Sequence, residues 1–315
     1  MKLLTWLACV AVGAAGLISV SLAAEPLPAP SPAPLPVVAS FSILGDLVRV
    51  VGGHRVTVTT LVGPDEDAHT FEPKPADART ILSSKLMVMN GLHFEPWAQK
   101  LRESAGFKGN TVVASDGIAP RIMPKHDAHH NRPALGHHHD IDPHAWQNPN
   151  HVIVYVRNIA AGLSRADPQG AATYKTNAEN YVKELQALDA FIKAQMASIA
   201  PEKRKVIISH DALGYFGDDY RVAFFSPQGL NTDAEPSAKD VAQLVRQIQR
   251  ENIKAIFIEN MSNSKLMEQI SKDTGAVVGQ RLYSDALSSA GQPGATYLQM
   301  MRHNVTQLVM GMKRN

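Results

Sequence analysis

Short apolar runs alternate with amphipathic stretches in the first third of the chain. Residues 36–41 and 86–90 are apolar runs of the kind found in buried strands, and residues 56–62 alternate and are rich in β-branched side chains. Residues 43–51 and 74–83 instead repeat apolar side chains at helical spacing. Strands that alternate with helices in this way predict a parallel sheet with helices on both of its faces.

The same alternation continues to residue 114 and returns after residue 200. Further helices are predicted at 95–104, 212–220, 237–250, 264–274 and 294–313, and further strands at 111–114, 205–209, 222–225, 255–259 and 276–278. We therefore expect an α/β fold with two lobes, an N-terminal one over residues 37–166 and a C-terminal one over residues 201–315.

Residues 167–200 are expected to link the two lobes as one helix. Pro168 follows a possible cap at Asp167, apolar side chains recur near helical spacing, and no glycine or proline interrupts the stretch after Gly170 until its end. A helix of this length spans about 45 Å at 1.5 Å per residue. A shorter helix with a break near Asn177 is the alternative, and we favour one rigid connector.

The N-terminus predicts export. Residues 1–23 have the basic start, apolar run and small-residue end of a secretory signal peptide, and residues 24–36 form a proline-rich spacer. The only cysteine, Cys9, lies inside the apolar run, so a lipid anchor there is not expected and the mature chain would contain no thiol ligand. With a net charge of +2 and 44% hydrophobic residues, the chain is expected to be a folded periplasmic protein that does not bind nucleic acid.

Four separated residues are the candidate metal ligands: His69, His144, His210 and Asp285. Each lies in a short polar phrase beside an apolar run. Three imidazoles and one carboxylate make a complete tetrahedral set for zinc. Because ligands of open α/β sheets bind beyond the carboxyl ends of the strands, we expect two ligands from each lobe around an ion in the cleft between them.

Two further acidic residues are candidates for the same site. Glu259 ends a predicted strand and is the substitute fourth ligand if Asp285 only caps a helix. Asp142 precedes His144 by two residues and is expected to orient its imidazole or to cap a helix.

Residues 125–140 are rich in histidine and lack an apolar pattern. We expect a mobile loop that binds zinc weakly and exchangeably, with a solvated polar insertion as the alternative. The histidines are His126, His129, His130, His137, His138 and His139.

Several phrases resemble the signatures of zinc/manganese ABC-transporter substrate-binding proteins, and the resemblance extends from about residue 37 to the C-terminus. They surround His69 (67–73), His144 (142–146), His210 (209–216) and Asp285 (282–287), and a fifth covers residues 90–97. The resemblance implies two Rossmann-like lobes joined by a long rigid helix, with His69, His144, His210 and Asp285 as the ligands.

The same resemblance implies the partners. It implies a monomer that delivers its ion to a membrane permease driven by a cytoplasmic ATPase, and a periplasmic metallochaperone is a further expected partner. Manganese-selective members of the family typically have glutamate at the third ligand position. His210 occupies that position here, which favours zinc and leaves manganese as the alternative cargo. His93 stands where many relatives have glycine.

A zinc hydrolase is the alternative class of function. Three histidines with an open fourth position would describe a catalytic zinc that activates water. The chain has no His-Glu-x-x-His pair and no Gly-x-Ser-x-Gly phrase, and Asp285 would fill the open position. The sequence therefore predicts a binding protein that is not an enzyme.

Overall fold

The computed structural model describes residues 33–123 and 141–315. The predicted signal peptide, most of the proline-rich spacer and the histidine-rich span with its six histidines lie outside these residues. Residues Pro34–Asn315 form one compact unit. Within the described ranges, none of the helices combines the length and apolar character that a membrane span requires.

The first four strands form a parallel sheet. They are β1 (Leu35–Phe41), β2 (Val56–Val62), β3 (Leu86–Met89) and β4 (Asn110–Val113), in the order β2-β1-β3-β4, and their connecting helices are α1 (Ser42–Gly52), α2 (Pro75–Ser83) and α3 (Pro96–Ala105). The central strand β3 is buried throughout, whereas the edge strand β2 alternates between more and less exposed positions. This difference explains the two hydrophobic patterns in the sequence. The spacer predicted to reach residue 36 ends earlier, because Leu35 already pairs with Val56.

A two-residue ladder and two long helices follow the first sheet. The ladder joins β5 (Arg121–Ile122) to β6 (Ile141–Asp142), with Arg121 opposite Asp142. Strands this short carry no periodicity, so neither was predicted. The helices are α4 (Pro149–Ala166) and α5 (Ala171–Ala197). The 27 residues of α5 span about 40 Å, and a turn at Pro168–Gly170 replaces the start of the helix predicted for residues 167–200.

The last four strands form a second parallel sheet. They are β7 (Lys205–Ile207), β8 (Ala223–Phe225), β9 (Ala255–Ile256) and β10 (Val277–Val278), in the order β10-β9-β7-β8, and the helices of this part are α6 (Gly214–Tyr220), α7 (Ala238–Glu251), α8 (Ser264–Thr274) and α9 (Tyr297–Met312). Two parallel sheets flanked by helices confirm the predicted α/β class. Below, "first half" denotes residues 34–166 and "second half" residues 201–315.

One hydrophobic core extends through both halves. α5 packs against α1, α4 and α9, and its buried side chains, such as Tyr181 and Leu188, follow the helical spacing expected from the sequence. At the start of α9, the hydroxyl of Tyr297 donates to the carbonyl oxygen of Trp146 at 2.7 Å, and its backbone N–H donates to Asp46 at 2.8 Å. The second half is thereby bonded to the first close to His144.

Candidate metal centre

Each candidate ligand lies beyond the carboxyl end of a strand. His69 belongs to the loop after β2, His144 follows β6 by two residues, His210 follows β7, and Asp285 lies in the segment after β10. The carboxyl ends of parallel strands lie at one edge of a sheet, which accounts for the loops that carry His69, His210 and Asp285. His144 instead follows the antiparallel ladder of β5 and β6. The fold thus brings together residues that are up to 216 positions apart.

The four side chains converge on one point. One ligand atom from each of His69, His144, His210 and Asp285 can be chosen so that all lie within 4.8 Å of one another. Oδ2 of Asp285 lies 3.1 Å from Nε2 of His69, 3.0 Å from Nε2 of His210 and 3.6 Å from Nε2 of His144. Nε2 of His69 lies 3.3 Å from Nε2 of His144. Nitrogen ligands at about 2.0–2.1 Å from a tetrahedral zinc ion are about 3.3–3.4 Å apart, a value that these separations bracket.

The cluster is enclosed, and one of its oxygen atoms lacks a hydrogen-bond partner. His144, His210 and Asp285 have no exposed surface, and the side chain of His69 is 2% exposed. Within the described residues, Oδ1 of Asp285 is buried and has no hydrogen-bond partner. Because a buried carboxylate oxygen without a partner is costly, a cation bound between the four side chains would satisfy it. The donor set and this atom both fit a divalent metal ion.

The ligands also shift the pKa of one another. Burial alone would lower the pKa of His144, but the charge of Asp285 and the bond to Asp142 raise it to about 9. Burial likewise opposes a charged His210, and Glu259 and Asp285 hold its pKa well above the usual value. Burial would raise the pKa of Asp285, whereas His144 and His210 keep it well below its usual range. The site therefore keeps a carboxylate that can bind a cation.

Two carboxylates outside the cluster orient two of the imidazoles. Nδ1 of His144 donates to Oδ1 of Asp142 at 2.8 Å, and Nδ1 of His210 donates to Glu259. Each bond leaves Nε2 of the ring directed into the cluster, as metal-binding histidines require. Asp142 thus has the orienting role expected for it. Glu259 bonds the ring of His210 on the side away from the cluster, which is the wrong position for the substitute fourth ligand considered above.

The segment from Asn90 to Trp97 supports both ligand loops of the first half. Nδ2 of Asn90 donates to the carbonyl oxygen of Pro143 at 3.0 Å, and Nε1 of Trp97 donates to that of Ala68 at 2.8 Å. The ring of Phe94 packs edge-on against His69, with centroids 4.7 Å apart. The sequence singled out this segment only by resemblance, and the structure supplies its physical role.

This segment reaches Phe94 through an unusual backbone turn. Gly91, Leu92 and His93 have φ values of 86°, 51° and 62°, all in the left-handed region. Glycine adopts this region without a steric penalty, and other residues do not. His93 therefore strains the backbone at a position that glycine would occupy without strain.

Sequence reasoning missed some residues around the site. Arg121 donates to Asp142 at 3.1 Å and to Asp218 of α6 at 2.9 Å, and Thr232 donates to Asp67 at 2.6 Å. These contacts join segments that are far apart in sequence. No local pattern in the sequence signals them.

The fold and the cluster define a class of protein. In this chain, loops from two parallel sheets enclose one buried cluster of side chains that can bind a metal ion. This is the architecture of the metal-binding, substrate-binding components of ABC transporters. The chain belongs to the family described as ZnuA, zinc-uptake complex component A periplasmic, whose profile matches residues 37–311.

Individual relatives agree with this assignment. The chain is 33% identical over 278 residues to the manganese-binding lipoprotein MntA of Halalkalibacterium halodurans, covering 88% of each chain. It is 30% identical over 275 residues to the iron-binding protein YfeA of Yersinia pestis, covering 87% of this chain and 85% of the relative. The structure of the periplasmic zinc-binding protein TroA from Treponema pallidum matches with a TM-score of 0.79 and 26% identity, over 89% of this chain and 99% of that one.

Proposed function

We propose that this protein captures Zn(II) in the periplasm and delivers it to an ABC-type import permease driven by an ATPase. The observation that carries the proposal is the convergence of three imidazole nitrogens and one carboxylate oxygen within 4.8 Å. His69, His144, His210 and Asp285 are the proposed ligands, and zinc is transported cargo, not a resident cofactor.

The donor set favours zinc over manganese. Imidazole suits zinc, whereas manganese prefers carboxylate, carbonyl and water oxygens. Three of the four donors here are nitrogen atoms. Glu259 accepts the Nδ1 proton of His210 and so does not add a second carboxylate to the site. The similar proteins are named for manganese, iron and zinc, so the cargo is argued from the donors of this chain.

Competition titrations test the cargo. Metal-free protein should bind one zinc ion tightly, and zinc should displace manganese at equal concentration. Metal analysis of protein isolated from its native periplasm should find zinc at about one ion per chain. Manganese at that stoichiometry, retained against zinc, would establish the alternative cargo.

A zinc hydrolase is disfavoured by the position of Asp285. Its Oδ2 lies 3.0–3.6 Å from all three imidazoles, where a catalytic site would keep a water molecule. Several relatives are named ABC transporter substrate-binding lipoproteins, which also favours a non-enzymatic role. A hydrolysis screen of the zinc-loaded protein should show no turnover, and zinc-dependent turnover that Asp285→Ala increases would contradict the proposal.

The histidine-rich span is proposed as an accessory zinc-binding loop. Its six histidines lie in residues 125–140, and the flanking strands β5 and β6 pair with each other only two residues before His144. Ions held there would be close to the site. Deletion of residues 125–140 should lower the total zinc stoichiometry and leave one tight site, whereas loss of all binding would reject the accessory role.

The remaining partners and the location are proposed on the family relationship and the sequence. We propose export by the predicted signal peptide of residues 1–23, a periplasmic location, a monomer, and docking of a periplasmic metallochaperone. Several relatives are named lipoproteins. Fractionation of expressing cells, with mass spectrometry of the mature N-terminus, distinguishes a released chain that begins near residue 24 from a lipid-modified one.

A further inference from the structure

The four candidate ligands are closed off from solvent. Three have no exposed surface and the side chain of His69 is 2% exposed. A metal ion can therefore enter or leave only if a covering segment moves. The hydrogen bonds around the loop that carries His69 indicate which segment moves.

A cavity borders two of the segments that carry the ligands. Its volume is about 360 Å³, and its lining includes Asp67, Ser209, Thr232, Glu235 and Met261. Asp67 lies two residues before His69 along the chain, and Ser209 directly precedes His210, so two lining residues of the cavity belong to the segments that carry ligands. Six waters occupy about 180 Å³ of liquid, so the cavity is large enough for a hydrated divalent ion.

Residues 226–236, which connect β8 to α7, form one wall of this cavity; we name them the gate loop. The gate loop runs beside His210, because His210 and Gln228 form a parallel bridge and the N–H of Asp211 donates to the carbonyl oxygen of Gly229 at 3.0 Å. It reaches the first half through Thr232, whose hydroxyl donates to Oδ2 of Asp67 at 2.6 Å. The other oxygen of Asp67 accepts the backbone N–H of His69 at 2.8 Å.

The loop that carries His69 is bonded to the second half unequally at its two edges. At Asp65, the backbone N–H donates to Leu287 at 2.9 Å, and the carboxylate accepts from Asn260 at 2.9 Å and from Ser289 at 3.2 Å. At Asp67, on the cavity side, Thr232 makes the one such bond found in the described residues. The cavity side is therefore the edge that separates first.

We propose that Thr232 and Asp67 form a latch across the route of the metal ion, and that the cavity is the vestibule of that route. While the bond is made, the gate loop holds the ion inside. When it breaks, the gate loop moves away from Asp67 and opens a passage between Asp67 and Ser209. The carboxylates of Asp67 and Glu235 attract a cation into the vestibule, and among the described residues that line it Lys265 is the one opposing charge. The latch rests on the proposed transport function.

The test removes the hydroxyl of Thr232 without changing the size of the side chain. Zinc-loaded full-length protein is mixed rapidly with excess chelator, and zinc release is followed in wild type, Thr232→Val and Thr232→Ser. Thr306→Val is the matched control, because Thr306 is exposed on α9 and its hydroxyl donates to the carbonyl oxygen of Arg302 in its own helix at 2.8 Å. Amide exchange of residues 226–236 is measured in the metal-free proteins.

We expect Thr232→Val to release zinc about tenfold faster, because hydrogen bonds to charged groups are stronger than neutral ones. Thr232→Ser should stay within about twofold of wild type, since it keeps the hydroxyl, and Thr306→Val should be unchanged. Unchanged release from Thr232→Val, or equally fast release from Thr232→Ser, would overturn the latch. If the wild type binds no zinc, the transport proposal fails, and faster exchange of the gate loop in metal-free Thr232→Val still decides whether the latch exists.

Discussion

Glu259 accepts two hydrogen bonds from His210, one from the backbone N–H at 3.2 Å and one from the ring Nδ1. The hydroxyl of Ser284 donates to the same carboxylate at 3.0 Å. Glu259 therefore joins the segment of one ligand, His210, to the residue that precedes another, Asp285. It fixes the imidazole so that Nε2 is the atom available to a metal ion.

Glu259→Gln should weaken zinc binding without removing a ligand. Glutamine can still accept the Nδ1 proton but carries no charge, so the ring becomes a poorer donor, and losses of about 10–100-fold in affinity are typical of such partners. Asp142→Asn should behave similarly through His144. Glu268→Gln, at an exposed position of α8, is the control. Affinity in Glu259→Gln equal to that of the control would show that the orientation of His210 is set elsewhere.

Zinc affinity should rise with pH up to about pH 9. In the metal-free protein the pKa of His144 is raised to about 9 and that of His210 lies well above its usual value, so both rings hold protons at neutral pH. Zinc must displace these protons, and each displaced proton changes the apparent affinity about tenfold per pH unit below the pKa. Calorimetry in two buffers with different ionisation enthalpies should detect the released protons. An affinity that does not change between pH 6 and pH 8 would contradict this expectation.

Glu95 should contribute to the free energy of unfolding of the metal-free protein, and this contribution should fall as the pH rises. Burial raises the pKa of Glu95 from 4.5 to about 7, against the bonds that it accepts from Asn90 and Ser40. The folded state binds its proton more tightly than the unfolded state does, so this contribution is complete below about pH 4.5 and is lost between about pH 4.5 and pH 7. At 1.36 kcal/mol per unit, the loss is roughly 3 kcal/mol.

Glu95→Gln removes this titration and supplies the reference. Urea unfolding at several pH values should show that the free energy of unfolding of wild type, relative to that of Glu95→Gln, declines from pH 4.5 to pH 7. Because the histidine cluster is common to both proteins, its own titration cancels. A relative stability that rises over the same interval would mean that Glu95 is ionised in the folded protein.

His93→Gly should stabilise the fold. His93 has φ of 62°, where a side chain costs about 1 kcal/mol that glycine does not pay. We expect a gain of about 0.5–1 kcal/mol in the free energy of unfolding from the relieved backbone, reduced by the interaction that the side chain of His93 makes. His54→Gly, at an exposed position in a 3-10 turn, should instead destabilise the protein by a similar amount. A loss of stability in both variants would show that the imidazole of His93 contributes more than its backbone costs.

The predictable features were those that local chemistry determines. β3 and β1 are apolar because they are central strands of a covered sheet, and His210 was placed after β7 because it follows an apolar run directly. Glu259 was considered as a substitute fourth ligand because the sequence places it at a strand end, where it could face either the ion or a ligand. The bond between Glu259 and the ring of His210, which only the structure shows, distinguishes the two positions.

Contacts between distant segments could not be predicted. The bond between Thr232 and Asp67 spans 165 positions, and that between Arg121 and Asp218 spans 97. Threonine, aspartate and arginine at such places are ordinary surface residues in the sequence. Their pairing depends on how two halves pack, which hydrophobic periodicity does not encode.

The ladder of β5 and β6 fixes the two ends of the span 124–140. Arg121 lies opposite Asp142 and donates to its carboxylate, so the described fold itself determines where a connection between Met123 and Ile141 begins and ends. Doubling the length of a flexible connection costs only about 0.6 kcal/mol in closure entropy. We therefore expect that a fluorescent reporter or an affinity tag grafted between Met123 and Ile141 would leave the sheets and the ligand cluster intact and would begin and end a few residues from His144.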